Sequence, residues 1–176
     1  MPAGTSSGRA SSAILIPVPE AEHLVARFRL DHDPVAGAGV PAHVTLVVPW
    51  LPLEEIDADS LGELERELAD VASFPFRLGS LGWFGRSVLW LAPEPAAPFV
   101  ALTWRLAEHF STPPWDDEFD EVVPHLTVGH ASDGVELAPI AAALKAGLPL
   151  ECVAKEVWVM VGDGTRWHVR HQILLT

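Results

Sequence analysis

Cysteine is nearly missing from the chain. Cys152 is the only one among 176 residues, which excludes an internal disulfide and any cysteine-rich zinc site. Basic residues are scarce as well: eleven Lys and Arg face twenty-four Asp and Glu, for a net charge of −13. Proteins that hold long nucleic acids neutralise phosphates with basic patches, so a long duplex is not an expected partner. A local pocket for one phosphate group stays open. No apolar run approaches the ~20 residues that span a bilayer, so no membrane partner is expected. Residues 2–12 are small and polar and lack the apolar centre of a signal peptide. They are read as part of a loose tail over 1–12, and the protein as cytoplasmic. The phosphate-cradling GxxxxGK[ST], the GxSxG elbow and the HExxH zinc motif are absent too, and neither a metal nor a cofactor is expected.

What is present is a globular composition, 49% apolar and 20% charged, with ample material for a core. Residues 13–176 are expected to form a single domain, built of two lobes, and to act as a monomer. A first strand spans 13–18. The segment 19–30 carries Ala21, Leu24, Val25 and Phe28 at helical spacing. The most regular helix runs from Ser60 to Ala72, read with Ser60 and Glu63 as a capping box and Leu61, Leu64, Leu68 and Val71 as its apolar stripe. Two strand-like runs meet at Gly85-Arg86. A further helix places Phe99, Leu102 and Leu106 on one face, and a short one follows Pro139. The run "LECVAKEVWVMV" and the segment "RWHVRHQILL" flank "GDGT", a hairpin turn.

Within this pattern the chain twice writes His-x-Thr in an aliphatic strand, 82 positions apart: "HVT" from His43 and "HLT" from His125. A buried imidazole or hydroxyl costs free energy unless hydrogen-bonded, so the pair asks for a joint explanation. Strand alternation puts His43 with Thr45 on one face and Val44 with Leu46 on the other. It likewise puts His125, Thr127 and Gly129 opposite Leu126 and Val128. Each hydroxyl then sits about 7 Å along from its imidazole. Each motif also holds the same place in a repeated order of helix, motif strand, helix and hairpin. Two such copies packed about an approximate two-fold axis bring the motifs face to face. Two histidines flanking one phosphorus can divide acid and base duties at neutral pH, and threonines can donate to phosphoryl oxygens, without a metal.

The segments "HVTL" and "HLTV", with "LGSLGWFGRSVLWLAPEP" between them, resemble the two-histidine (2H) phosphoesterase superfamily. The bacterial 2′-5′ RNA ligase-like, or LigT-like, branch is the most similar, and the resemblance extends from residue 13 to 175. It implies a bilobal, duplicated α+β fold with pseudo-two-fold symmetry, antiparallel sheets lining a central cleft and helices outside. It also implies metal-independent action on cyclic phosphates or 2′-5′ phosphodiesters of RNA-type molecules. By motif match His43 and His125 are the acid–base pair, and Thr45 and Thr127 hold phosphate oxygens. Many relatives carry a basic residue after the second motif, where this chain has Gly129-His130. A regular strand would put His130 on the face opposite His125, as a structural residue.

Trp83 and Phe84, at a strand end, are candidate stacking residues for a base. Arg86 is read as a turn residue, and Trp158 and Trp167 hold comparable places in the second hairpin. His23, His32, His109, His168 and His171 show no ligand spacing and are read as surface or structural. The acidic run "WDDEFDEV" (115–122) lacks the spacing of a calcium loop. The expected function is opening of 2′,3′-cyclic phosphates or related small RNA-derived cyclic nucleotides, the partner being a small nucleotide or an RNA-terminal phosphate. The rivals are reversible 2′-5′ RNA ligation and a non-catalytic nucleotide- or RNA-binding module.

Overall fold

The structure, a computed structural model, describes residues 10–113 and 121–176. The tail assigned to 1–12 and the acidic run at 115–122 therefore lie mostly outside the described residues. The first strand, β1 (Ser11–Pro17), starts two residues earlier than its aliphatic run suggests. Ser12 is fully buried and its hydroxyl donates to the Leu51 carbonyl at 2.6 Å, so a polar residue joins the strand by satisfying itself.

After β1 come α1 (Glu22–His32), a single turn α2 (Pro34–Gly37) and β2 (His43–Val47). Next are α3 (Ala58–Leu68), the hairpin β3 (Phe74–Phe84) and β4 (Val88–Glu94), α4 (Ala97–His109) and β5 (Leu126–His130). The chain closes with α5 (Ala138–Leu144), β6 (Leu150–Ala154), β7 (Glu156–Gly162) and β8 (Trp167–Leu174). The cap of α3 differs from the Ser60–Glu63 reading. Asp57 is the cap, its carboxylate accepting from the amides of Asp59 and Ser60 at 3.0 Å, while the Ser60 hydroxyl accepts from the Asp57 amide. An aspartate three residues upstream outcompetes the serine, and Glu63 is left to bond His109 at 2.7 Å.

The strands form two antiparallel sheets of four, ordered β2-β1-β7-β8 and β5-β4-β3-β6. Each motif strand is an edge. The two halves are interleaved: the hairpin β3–β4, from the first half of the chain, completes the sheet of the second motif. The hairpin β7–β8 completes the sheet of the first. The single run "LECVAKEVWVMV" is accordingly cut at Lys155 into β6 and β7, which belong to different sheets.

One core cluster joins both sheets. It takes Ile14, Ile16, Val44, Leu46, Val157 and Val159 from one, and Phe76, Leu78, Leu89, Leu91, Leu126 and Val128 from the other. The helices add Val25, Leu64, Phe99, Leu106 and Leu144. Helix packing crosses between sheets: α1 lies against β5, α4 against β2, and β2 and β5 are neighbours. Close approach of α1 depends on Gly129, where a Cβ would stand 2.7 Å from the His32 Cβ. A smaller cluster of Leu15, Val40 and Met160, with Trp158 and Trp167 against it, covers the other face of the first sheet.

Candidate active site

Alternation along β2 buries Val44 and Leu46 in the core and leaves His43 and Thr45 half-buried on the opposite face. His125 directly precedes β5, where Leu126 and Val128 enter the core and Thr127 stays half-buried. In both motifs the imidazole Nδ1 stands 2.7 Å from the carbonyl two residues upstream, Pro41 for His43 and Val123 for His125. A carbonyl only accepts, so each Nδ1 carries the proton. The neutral ring then presents a bare Nε2, the atom that can take a proton from one oxygen or, once charged, give one to another. Among the described residues neither Nε2 has a protein partner, and neither do the hydroxyls of Thr45 and Thr127.

Each imidazole keeps an open edge but is crowded by protein atoms, and loss of hydration disfavours its charged form. The His43 pKa is pushed down to about 3, by burial first, then by the Arg29 guanidinium. The Pro41 carbonyl opposes the shift and His125 adds to it, which puts the two motif histidines within electrostatic reach of one another. His125 is lowered by burial too, with the Val123 carbonyl opposing and His130 adding. Burial thus favours the uncharged form of both rings. An anion between them would replace mutual repulsion with attraction and favour protonation of one.

His130 does not follow the regular-strand expectation. β4 pairs Val88 with His130, Leu89 with Gly129 and Trp90 with Thr127, so Val128 is an extra residue in the ladder. The bulge carries Gly129 to the core side, beneath α1, and turns His130 to the face of Thr127. His130 Nε2 stands 4.0 Å from the Asp33 carboxylate.

Of the two candidate stacking residues, the structure brings Phe84 to the histidines and leaves Trp83 away from them. The Phe84 ring meets His125 edge-on, 4.8 Å between centroids, and lies 5.1 Å from Trp90. Trp83, one residue earlier on the strand, pairs with Leu89 on the opposite, core-side face and is 40% exposed. Trp90 was not among the sequence candidates. It is the register partner of Thr127, its ring is centred 6.0 Å from His125, and it spreads over Gly82, where any Cβ would collide with the indole. The hairpin turn at Gly85-Arg86 already implied its facing, because counting back from the turn sets Trp90 on the Phe84 side. On the first sheet Leu15 pairs with both Thr45 and Trp158, so Trp158 shares the motif face. Trp167 packs over Gly162 farther along, and Arg86 lies in the exposed turn.

Arg29 and Asp33 were also missed. They form an ion pair of 3.0 Å with both side chains 2% exposed, and Arg29 also donates to the Val40 carbonyl, three residues before His43. Their spacing of four residues on a helix is legible, but their burial is not, since it depends on the α2 segment folding over them. No group of His, Cys, Asp and Glu among the described residues could hold a metal ion. Cys152 is buried, its thiol pushed up to about 12 by burial and by Glu20 and Glu151, and is no nucleophile. No helix among the described residues is long and apolar enough to cross a membrane.

Several solved structures share this fold of two interleaved antiparallel sheets with helices packed against them. E. coli LigT in complex with 3′-AMP superposes with a TM-score of 0.57 at 20% identity, over 94% of this chain and 98% of that one. TT0787 of Thermus thermophilus gives 0.63 at 20% identity, over 94% and 97%. Kluyveromyces marxianus Usb1 gives 0.53 at 17%, over 96% and 99%. No curated protein matches in sequence. The family model of the 2′-5′ RNA ligase superfamily matches residues 17–166, and the chain belongs to that superfamily of phosphoesterases and ligases.

Proposed function

We propose that this chain is a metal-independent phosphodiesterase that opens nucleoside 2′,3′-cyclic phosphates or related small RNA-derived cyclic phosphodiesters. The observation that carries the proposal is the matched state of the two motifs. In each, a backbone carbonyl holds Nδ1–H at 2.7 Å and frees Nε2, with an uncommitted threonine hydroxyl beside it. One Nε2 takes a proton from water as its oxygen attacks phosphorus. The other histidine, protonated in the substrate complex, gives its proton to the ribose oxygen as the P–O bond breaks. Thr45 and Thr127 donate to the remaining phosphoryl oxygens, where charge builds. The net change is water added across one P–O bond, giving a phosphomonoester, and no metal or redox partner is needed. Phe84 and Trp90, beside His125, offer an aromatic wall for a base. A nucleotide ligand agrees with the structures of E. coli LigT complexed with 3′-AMP, ATP and NADP+.

Ligation is the same ring opening with a 5′-hydroxyl in place of water: its oxygen forms the new P–O bond, its proton goes to one Nε2, and the ribose oxygen leaves with a proton from the other histidine. It must seat two RNA ends, which the net charge of −13 disfavours. The deciding experiment is a panel of 2′,3′-cyclic nucleotides and 2′-5′ dinucleotides given to wild type, His43→Ala and His125→Ala, with and without chelator. Turnover is expected to follow a bell-shaped pH profile, to ignore chelator and to fall at least ~10²-fold in either variant. Activity surviving either substitution would overturn the two-histidine mechanism. Binding of the panel without turnover would instead leave a nucleotide-binding module.

A further inference from the structure

Helix α1 presents Glu22 and Arg29, two turns apart on one face, to the segment that delivers His43. Glu22 Oε1 accepts from the Ala42 amide at 2.6 Å, and Arg29 Nη1 donates to the Val40 carbonyl at 3.2 Å. Between these two fixed points lies Pro41, whose carbonyl receives the His43 Nδ1–H. The Val18 amide closes the other side by donating to the Ala42 carbonyl at 2.8 Å. Arg29 is itself held: Nη2 and Nε donate to Asp33 Oδ2 at 3.0 and 3.3 Å, while Asp33 Oδ1 accepts from the Val35 amide at 3.3 Å. A buried ion pair is no more stabilising than a well-packed apolar pair of the same volume. Stability therefore does not explain why the chain places one here.

We propose that Arg29 is a positioning residue for His43: anchored by Asp33, its guanidinium fixes the Val40 carbonyl and holds a permanent cation against the segment that delivers the imidazole. The ring thereby keeps Nδ1–H on Pro41 and a bare Nε2 toward the other motif. Among the described residues, the charged and titratable groups that bear on His43 are Arg29 from α1 and His125 from the β5 side. His130 in turn bears on His125, and Asp33 stands 4.0 Å from His130. One ion pair thus reaches toward both motifs, and the catalytic half of the inference rests on the proposed function.

The test is Arg29→Met combined with Asp33→Asn, which removes both charges together and keeps an oxygen for the Val35 amide. Imidazole nitrogen NMR on the full chain is expected to show His43 as a single Nδ1–H tautomer in wild type. In the double variant a mixture with Nε2–H is expected, with protonation shifted upward by about one pH unit. On the substrate found by the panel, kcat should fall at least tenfold with KM within threefold, and the acid limb of the rate profile should move to higher pH. Arg29→Lys, which keeps the cation, should restore the limb. If the double variant does not fold, Arg29→Gln with Asp33→Asn keeps a neutral hydrogen-bonded pair and must show the same changes. A folded variant with a single Nδ1–H tautomer and wild-type kcat would overturn the inference. A wild type inactive on every substrate would sink the proposed function alone, and the tautomer would still decide the role of Arg29.

Discussion

Gly129→Ala puts a methyl group into the contact between α1 and β5, and its consequences can be worked out from one distance. The new Cβ would lie 2.7 Å from the His32 Cβ and 3.5 Å from Leu137 Cδ2, where ordinary contact needs 3.4–4 Å. The His32 neighbour is the root of its side chain, not a flexible tip, so α1 itself must retreat by roughly 1 Å or strain in place. Overpacking of this kind costs about 1–3 kcal/mol, which in a chain of this size lowers Tm by roughly 2–12 °C. The same retreat carries Arg29 away from Val40 and Asp33 away from His130. A misplacement near ~1 Å costs up to about 10²-fold in rate. Thermal unfolding and kcat/KM, measured on Gly129→Ala beside Gly37→Ala, give the answer. A Cβ added at position 37 has nothing within 4 Å, and the backbone there has an ordinary φ, so this alanine is expected to leave both quantities unchanged. Gly129→Ala with wild-type Tm and activity would refute the claim that α1 is held against β5 at a distance only glycine permits.

Stability should also depend on pH through His43. Its pKa falls from 6.5 in the unfolded chain to about 3 in the folded one. The unfolded state therefore binds the extra proton first, and stability declines as pH drops from 6.5 toward 3. The decline from this group is at most about 1.4 kcal/mol per pH unit. Denaturant titrations of wild type and His43→Asn should differ in slope across that window, and parallel curves would show that the ring is not held neutral. The aromatic wall gives a paired test. Phe84→Ala should raise KM about 5- to 100-fold by removing a stacking surface, whereas Trp83→Ala, on the other face, should stay within about twofold. Equal effects would remove Phe84 from the site.

How far the site could be read in advance depended on whether a residue's direction is set locally. His43, Thr45 and Thr127 sit on strands whose buried neighbours, Val44, Leu46 and Leu126, declare the alternation in the sequence itself. His130 lies only three residues past Thr127, but the bulge at Val128 intervenes, and bulges leave no mark in the apolar pattern. Trp83 and Phe84 form an adjacent pair of aromatics in which parity alone separates a core-side residue from one beside His125. The turn that sets that parity was visible. The cut at Lys155 was not, because "LECVA" and "EVWVMV" read equally as strand while their partners lie in different sheets. Arg29 was the least legible, since a helical arginine is ordinarily solvated, and only the loop from Asp33 to Ala42 wrapping over it makes it buried.

The interleaving of the sheets sets an order of events during synthesis. β1 is made early, but its central partner β7 pairs Ser11 with Gly162, residues that leave the ribosome almost a whole chain apart. Until then the sheet bearing His43 is only the β1–β2 pair. The sheet bearing His125 can assemble β3, β4 and β5 as soon as residue 130 has emerged. Pairings this distant in sequence are slow and leave strand edges exposed while they wait. The two motifs, alike in geometry, thus mature at different times, and the histidine encoded first is the last to be set in place.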